Sequence, residues 1–175
     1  VGNFEVVQQR LGDRALDVGF IEGGSYLPSL SGERLCSDEL QVVCPPRHPL
    51  ARRTSVAADA LVEHAYLTRE QGSGTHEVID RYLSRAGIEP GTLNVVMEAS
   101  SPEALKGLVA AGMGYAIMSQ VSVRKEVRLG LLVGIPLSPP IVRQLTAVYP
   151  RERLQSGLVG AFVQFARLRL DGPAG

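Results

Sequence analysis

Short apolar runs alternate with amphipathic segments along almost the whole chain, and glycine or proline separates most of them. The apolar runs predict β-strands at Leu16–Ile21, Leu40–Cys44, Ala65–Thr68, Leu93–Glu98, Tyr115–Met118, Leu131–Ile135 and Leu145–Tyr149. Apolar residues three and four apart predict helices at Thr75–Ala86, Pro102–Ala111, Ser119–Val127 and from Ser156 onward. Strands that alternate with helices favour a mostly parallel sheet covered on both faces. The predicted fold class is therefore α/β.

The balance of charge restricts the partners of the chain. Its 175 residues include 18 Lys and Arg against 18 Asp and Glu, a formal net charge of zero. Binding nucleic acid across the whole surface would need an excess of Lys and Arg, and no apolar run approaches the ~20 residues of a membrane span. No signal peptide is visible and the first residue is Val1, so we expect a cytoplasmic fragment of a longer protein.

No motif predicts a metal, a cofactor or a catalytic set. The two cysteines are isolated from each other, and the three histidines lack the spacing of metal ligands. The glycines at Gly112 and Gly114 end a predicted helix, whereas the glycines of a dinucleotide-binding loop begin one. No nucleophile elbow is present, and no base is evident beside Ser73. We therefore expect neither a cofactor nor an enzymatic activity.

A glycine-rich turn, Arg69-Glu-Gln-Gly-Ser-Gly-Thr75, lies between a predicted strand and a predicted helix. The first backbone N–H groups of a helix have no acceptor within it, and the helix dipole adds partial positive charge there. Such a turn therefore suits a carboxylate, phosphate or sulfate. The hydroxyls of Ser73 and Thr75 offer further donors. The alternative is a plain helix start capped by Thr75, with glycines that allow a tight turn, and the sequence leaves both open.

A second loop, Glu98-Ala-Ser-Ser-Pro-Glu103, also follows a predicted strand. Ser100 and Glu103 have the spacing of a capping box, and Pro102 suits the first turn of a helix. Helix capping alone accounts for both Ser100 and Ser101. The carboxyl ends of parallel strands share one edge of a sheet, and ligands bind outside that edge, so two such loops favour a binding function.

The order of motifs along the chain is more specific than any single motif. It runs through Gly2-Asn3, Leu16–Glu22, Asp38–Pro45, His48–Leu50, Arg69–Thr75, Glu98–Ala104, Val109–Met118, Leu145–Tyr149 and Phe162–Phe165. This order resembles the effector-binding domain of LysR-type transcriptional regulators over nearly the whole chain. The sequence of its Arg69–Thr75 motif is most similar to the regulators of carbon-fixation and sulfur-assimilation operons.

The resemblance implies a periplasmic-binding-protein-like fold of type 2, in which two α/β lobes are joined by two crossing strands. Residues 1–43 and 149–175 would form lobe I and residues 44–148 lobe II, with the crossings near Val43–Cys44 and Val148–Tyr149. Two parts of the family pattern are not found in this sequence: the N-terminal helix-turn-helix and the first strand–helix–strand of lobe I, roughly 30 residues. A lobe without its first strand would expose a strand edge and apolar surface, which favours dimerisation or instability.

The resemblance also implies a small-molecule effector in the cleft between the lobes. Four residues match the family's ligand loop in lobe II, two match the neighbouring loop, and two lie on the facing rim of lobe I. In that order they are Gly72, Ser73, Gly74, Thr75, Ser100, Ser101, Glu22 and Gly23. Thr75 and Ser100 are the expected hydroxyl donors, and these donors suit a small anionic metabolite. The implied assembly is a homodimer or tetramer that contacts operator DNA only through the absent helix-turn-helix.

Two other functions stay open. A secreted solute-binding protein of a transporter has the same fold; a signal peptide in the full-length gene would favour it, and an upstream helix-turn-helix would exclude it. An enzyme that uses Ser73 or His76 would need a base beside a hydroxyl in a deep pocket, which the sequence does not indicate. The transcriptional regulator is the preferred hypothesis.

Overall fold

The computed structural model describes residues 4–22, 26–152 and 157–170. The chain divides into two compact units: unit 1 contains Val1–Ser37 and Arg143–Gly175, and unit 2 is the continuous segment Asp38–Val142. The chain therefore passes from unit 1 to unit 2 and back again. The crossings predicted from the sequence, at Val43–Cys44 and Val148–Tyr149, lie a few residues further along the same two strands.

Helices and strands are present in both units, as the α/β prediction requires. In chain order they are α1 (Phe4–Gly12), β1 (Gly19–Glu22), β2 (Leu30–Cys44), β3 (Val56–Ala57), β4 (Ala65–Arg69), α2 (Gly74–Arg85), β5 (Asn94–Ala99), α3 (Pro102–Ala110), β6 (Tyr115–Ser119), α4 (Arg124–Arg128), β7 (Val133–Pro150) and α5 (Gly157–Leu170). Short 3-10 turns lie at Pro49–Arg52, Ala58–Leu61 and Pro90–Thr92.

The sheet of unit 2 is covered on both faces, which confirms the α/β architecture. Its strand order is β2-β6-β4-β5, and β4 runs parallel to both β5 and β6. Tyr66 of β4 packs in a cluster with Ile79 of α2, and the next residue, Leu67, packs in a different cluster with Leu105 of α3. Successive side chains of a strand point to opposite faces, so α2 and α3 cover opposite faces of the sheet.

The sheet is mixed, whereas the sequence analysis predicted a mostly parallel one. β2 pairs antiparallel with β6, and in unit 1 β1 pairs antiparallel with β7. β2 and β7 are the strands in which the chain passes between the units. A βαβ connection makes two successive strands parallel, whereas β2 and β7 pair with strands that do not follow or precede them directly in the chain. β7 also joins the two predicted strands Leu131–Ile135 and Leu145–Tyr149 into one, because its prolines interrupt the apolar pattern without ending the strand.

The core of unit 1 uses both faces of β7. Val148 clusters with Leu11 of α1 and Ile21 of β1, while the preceding Ala147 clusters with Val163 of α5. The final helix buries Val159, Val163 and Ala166. It leaves five other large apolar residues exposed, namely Leu158, Phe162, Phe165, Leu168 and Leu170.

Candidate functional site

The glycine-rich turn connects β4 to α2 at the carboxyl end of β4. It is closed by a hydrogen bond from the amide of Ser73 to the carbonyl oxygen of Glu70, at 3.1 Å. Gly72 has a φ of 82°, which lies in the left-handed region that residues other than glycine rarely adopt. The turn therefore needs a glycine at this position, and α2 begins directly after it, at Gly74.

The first turn of α2 carries the backbone donors that the sequence analysis singled out. The first intrahelical bond joins the amide of Glu77 to the carbonyl oxygen of Ser73, at 3.2 Å. The N–H groups from Gly74 onward therefore point out of the N-terminal end of the helix, where the dipole is positive. The prediction that Thr75 caps this helix is wrong: Ser73 occupies the cap position, and its side chain makes no capping hydrogen bond. Ser73 and Thr75 are both buried.

The side chain of His76 faces the end of β4. Its Nδ1 lies 2.9 Å from the carbonyl oxygen of Arg69 and 3.4 Å from Oγ1 of Thr68. Its Nε2 lies 3.3 Å from the Asp80 carboxylate one turn further along α2. From the sequence, His76 could contact a ligand but was expected to be an exposed residue of the first turn. It is half-buried and lies where the turn and the helix meet.

The cation nearest to the turn is already paired. The guanidinium of Arg69 donates two hydrogen bonds to the Glu70 carboxylate. These bonds hold the pKa of the Glu70 carboxyl below its ordinary value, because they stabilise the ionised form. The turn therefore presents backbone and hydroxyl donors without a net positive charge from Arg69.

The second loop lies beside the first. Arg69 at the end of β4 is in register with Ala99 at the end of β5, so the two loops leave the same edge of unit 2. Ser101 is the cap of α3, and its Oγ accepts a hydrogen bond from the amide of Ala104 at 3.1 Å. The predicted pairing of Ser100 with Glu103 in a capping box is wrong by one residue. Ser100 is exposed and precedes the cap.

A third loop at this edge was missed by the sequence analysis. β6 lies next to β4 on the other side and runs parallel to it, and it ends at Ser119. The hydroxyl of Ser119 donates to the carboxylate of Asp38 at 2.8 Å and accepts from the amide of Ser122 at 3.3 Å. The predicted helix from Ser119 begins only at Arg124. A serine that directly follows an apolar strand was the signal that could have placed it at the edge.

Residues 1–171 match the LysR substrate binding domain family. The chain belongs to this family. The LysR domain is 36% identical to the HTH-type transcriptional regulator CysL of Bacillus subtilis over 72% of this chain and 41% of that protein. It is 30% identical to the RuBisCO operon transcriptional regulator of Allochromatium vinosum over 94% of this chain and 54% of that protein. The chain thus spans about half the length of the curated relatives it matches.

The fold of the LysR domain is also found among solved structures. The regulatory domain of Synechocystis CcmR, solved in complex with 2-PG, superposes with a TM-score of 0.86 over 98% of this chain and 82% of that chain, at 24% identity. This likeness confirms the fold inferred from the order of motifs. The name of the Allochromatium vinosum relative also agrees with the predicted similarity to regulators of carbon-fixation operons.

Two of the predicted contacts lie in the other part of the LysR domain, unit 1. The carboxylate of Glu22 at the end of β1 accepts a hydrogen bond from the guanidinium of Arg143, whose side chain is 10% exposed. A nearly buried guanidinium needs a carboxylate partner, so this pair accounts for Glu22 within unit 1. Gly23 lies outside the described residues.

Other reactive groups of the LysR domain lie outside these loops. The rings of His48 and His64 meet edge to face, with centroids 5.0 Å apart. Burial, together with the neighbouring His64, lowers the pKa of His48. Burial raises the pKa of the Cys44 thiol to about 11, so little of the reactive thiolate forms near neutral pH.

Across residues 4–22, 26–152 and 157–170, no group of three or more His, Cys, Asp or Glu side chains could hold a metal ion. Within those ranges no helix is long and apolar enough to cross a membrane.

Proposed function

We propose that the chain is the effector-binding domain of a LysR-type transcriptional regulator and that it binds a small anionic metabolite. The observation that carries this proposal is the register of Arg69 with Ala99, which brings the glycine-rich turn and the serine loop to one edge of unit 2. Ligands of parallel sheets bind outside the carboxyl ends of the strands. The proposed contacts in unit 2 are Gly72, Ser73, Gly74, Thr75, Ser100 and Ser101. In unit 1, Glu22 and Gly23 stay predictions.

The donor set defines the class of ligand. It consists of the amides at the start of α2, the exposed hydroxyl of Ser100, and an arginine that Glu70 already compensates. Oriented amides and a helix dipole stabilise a carboxylate or phosphate without a cationic side chain. The 2-PG bound to CcmR supports a small-molecule effector for this chain as well.

For the whole protein, we propose a homodimer or tetramer that acts in the cytoplasm and binds operator DNA through a helix-turn-helix outside this sequence. The names of the relatives support this role, since both are transcriptional regulators and CysL is of the HTH type. They give no support to a secreted solute-binding protein. They also favour a sensor rather than an enzyme, and the ring of His76 is held against Arg69 and Asp80.

A thermal-shift screen of the full-length protein tests the proposal. The panel consists of inorganic phosphate, sulfate, small carboxylates and 2-PG. A ligand that binds the native state raises the melting temperature with its concentration. We expect the shift to be lost in Ser100→Ala and Thr75→Val and kept in Thr75→Ser, which retains the hydroxyl. Ser84→Ala is the control, because this hydroxyl lies near the opposite end of α2 and bonds the Asp80 carbonyl.

Two results would contradict the proposal in different ways. A shift that survives both Ser100→Ala and Thr75→Val would leave the effector in place and reduce these residues to a structural role. The absence of a shift with every anion in the panel would reject the anionic effector itself.

A further inference from the structure

The ring of His76 ties the first turn of α2 back to the strand that precedes it. A carbonyl oxygen only accepts hydrogen bonds, so the Nδ1 atom, 2.9 Å from the Arg69 oxygen, carries the proton and donates it. Thr68 Oγ1 donates to the same oxygen at 3.3 Å. The Arg69 carbonyl, the last of β4, therefore receives two side-chain donors.

The tie is anchored in the core of unit 2. Thr68 is only 5% exposed. Two residues before it on β4, Tyr66 is also buried, and its ring stacks on that of Tyr115 with centroids 5.1 Å apart. The ring of His76 thus rests against groups that packing holds fixed, while its Nε2 faces Asp80 on the helix. The imidazole of His76 thus contacts both β4 and α2.

The segment that this imidazole closes has high intrinsic conformational freedom. Between Arg69 and His76 the chain contains Gly72 and Gly74, and glycine has more conformational freedom than any other residue. Ser73 stands at the cap position without a capping bond from its side chain. The amide of Ser73 closes the turn onto Glu70, and the carbonyl of Ser73 accepts from the Glu77 amide at the start of α2. The ring of His76 adds a side-chain link between the strand and the helix.

We infer that His76 is a positioning residue of the effector site: it holds the amides of the first turn of α2 in the orientation that receives the anionic group of the effector. This inference rests on the proposed function. His76 acts through the backbone of residues 70–75, and the effector meets those amides rather than the ring. An imidazole that contacted the effector directly would give a different pattern among the variants below.

The test compares three substitutions of His76 in the full-length protein. His76→Asn places an amide N–H close to the position of Nδ1 and preserves the bond to Arg69. His76→Gln reaches instead toward the position of Nε2, and His76→Leu removes both ring nitrogens. The first measurement is hydrogen–deuterium exchange of residues 69–77 without ligand. The second is the affinity for 2-PG and for inorganic phosphate by calorimetry.

We expect His76→Leu and His76→Gln to speed exchange in this segment and to weaken binding by about tenfold, the loss of roughly one well-placed hydrogen bond. His76→Asn should restore both properties to near the wild-type level. Asp80→Asn, which keeps the bond to Arg69, should change both by less than about threefold.

Three outcomes separate this inference from the proposed function. Unchanged exchange in His76→Leu would overturn the positioning role, whatever happens to binding. Weak binding in all three variants, with exchange altered only in Leu and Gln, would overturn it in favour of direct contact with the effector. If the wild-type protein binds neither these probes nor any other anion of the thermal-shift panel, the anionic effector is rejected, and the exchange rates alone decide whether His76 fixes the turn.

Discussion

The guanidinium of Arg69 and the carboxylate of Glu70 face each other through two hydrogen bonds, from Nε at 2.7 Å and from Nη2 at 2.8 Å. The two side chains are 18% and 29% exposed, so neither is fully solvated. Paired in this way, Arg69 cannot at the same time offer both donors to a ligand. The charge beside the glycine-rich turn is compensated before any effector arrives.

Glu70→Gln should release this charge. We expect the variant to bind an anionic effector several-fold more tightly at low salt, because an uncompensated guanidinium about 4 Å away is worth roughly 1 kcal/mol in water. The gain should shrink at high ionic strength, where exposed charges are screened. Calorimetry at two salt concentrations checks this, with the exposed Glu89→Gln as control. Equal affinities in Glu70→Gln and the wild type at low salt would contradict it.

The two adjacent serines at the start of α3 should give opposite phenotypes. Ser101→Ala removes the capping acceptor of the Ala104 amide and should lower the free energy of unfolding by about 1 kcal/mol. Ser100→Ala should leave stability within about 0.5 kcal/mol of the wild type, as expected for an exposed site, and should weaken effector binding. Urea denaturation combined with effector titration separates the two. The prediction fails if Ser100→Ala proves the more destabilising change.

Lys106 of α3 is the centre of an ion-pair cluster whose strength should depend on pH. Its Nζ lies 2.9 Å from carboxylate oxygens of both Glu103 and Glu126. The hydrogen bond to Glu103 and then that to Glu126 raise the pKa of Lys106, and the hydrogen bond from Lys106 lowers the pKa of Glu126. Glu103 is 79% exposed against 21% for Glu126. Solvent therefore screens the first pair more, and the second contributes more to stability.

The signs of these pKa shifts set the pH window. Stability from Glu126 is present above the ordinary carboxyl pKa of 4.5 and is lost as the pH falls through its lowered pKa. Stability from Lys106 is present below 10.5 and is lost as the pH rises through its raised pKa. Glu126→Gln should therefore be less stable than the wild type at pH 7, and the difference should shrink in acid. Glu103→Gln is the matched control, and denaturation midpoints at several pH values provide the measurement.

Two glycines of unit 2 should respond oppositely to alanine. A Cβ at Gly114 would overlap the backbone oxygen of Ala65, so Gly114→Ala should cost about 1–3 kcal/mol of stability. A Cβ at Gly107, inside α3, would meet nothing within 4 Å. Gly107→Ala should therefore stabilise the protein by up to about 1 kcal/mol. Thermal denaturation of both variants tests the pair, and a destabilised Gly107→Ala would count against the described packing of α3.

The α/β class could be predicted from the sequence because the strands and helices of unit 2 are short and separated by clear signals. Gly72 and the switch from an apolar strand to a helical pattern were enough to locate the glycine-rich turn between β4 and α2. The cap of α3 could have been predicted as well. Proline at the first helical position makes the preceding residue the cap and keeps it extended, so Pro102 points to Ser101. The capping-box spacing of Ser100 and Glu103 suggested otherwise.

Other features depend on tertiary contacts that no local pattern records. The hydrogen bond of the His76 ring is accepted by a backbone carbonyl oxygen, so no pattern of side chains near Arg69 predicts it. The final helix has apolar residues on more than one side, and only packing against Leu35 and Ala147 decides that Val163 is buried and Phe165 exposed. The continuity of β7 was hidden by its prolines.

The division of the chain into one continuous and one interrupted unit has a consequence for biosynthesis. All of unit 2 leaves the ribosome before Arg143, while unit 1 still lacks its second half. Domains generally fold as units during translation, so unit 2 is able to fold first. Leu11 and Ile21 are synthesised early, whereas Val148, which completes their cluster, is synthesised only with β7. The folding of unit 1 therefore has to follow the synthesis of β7.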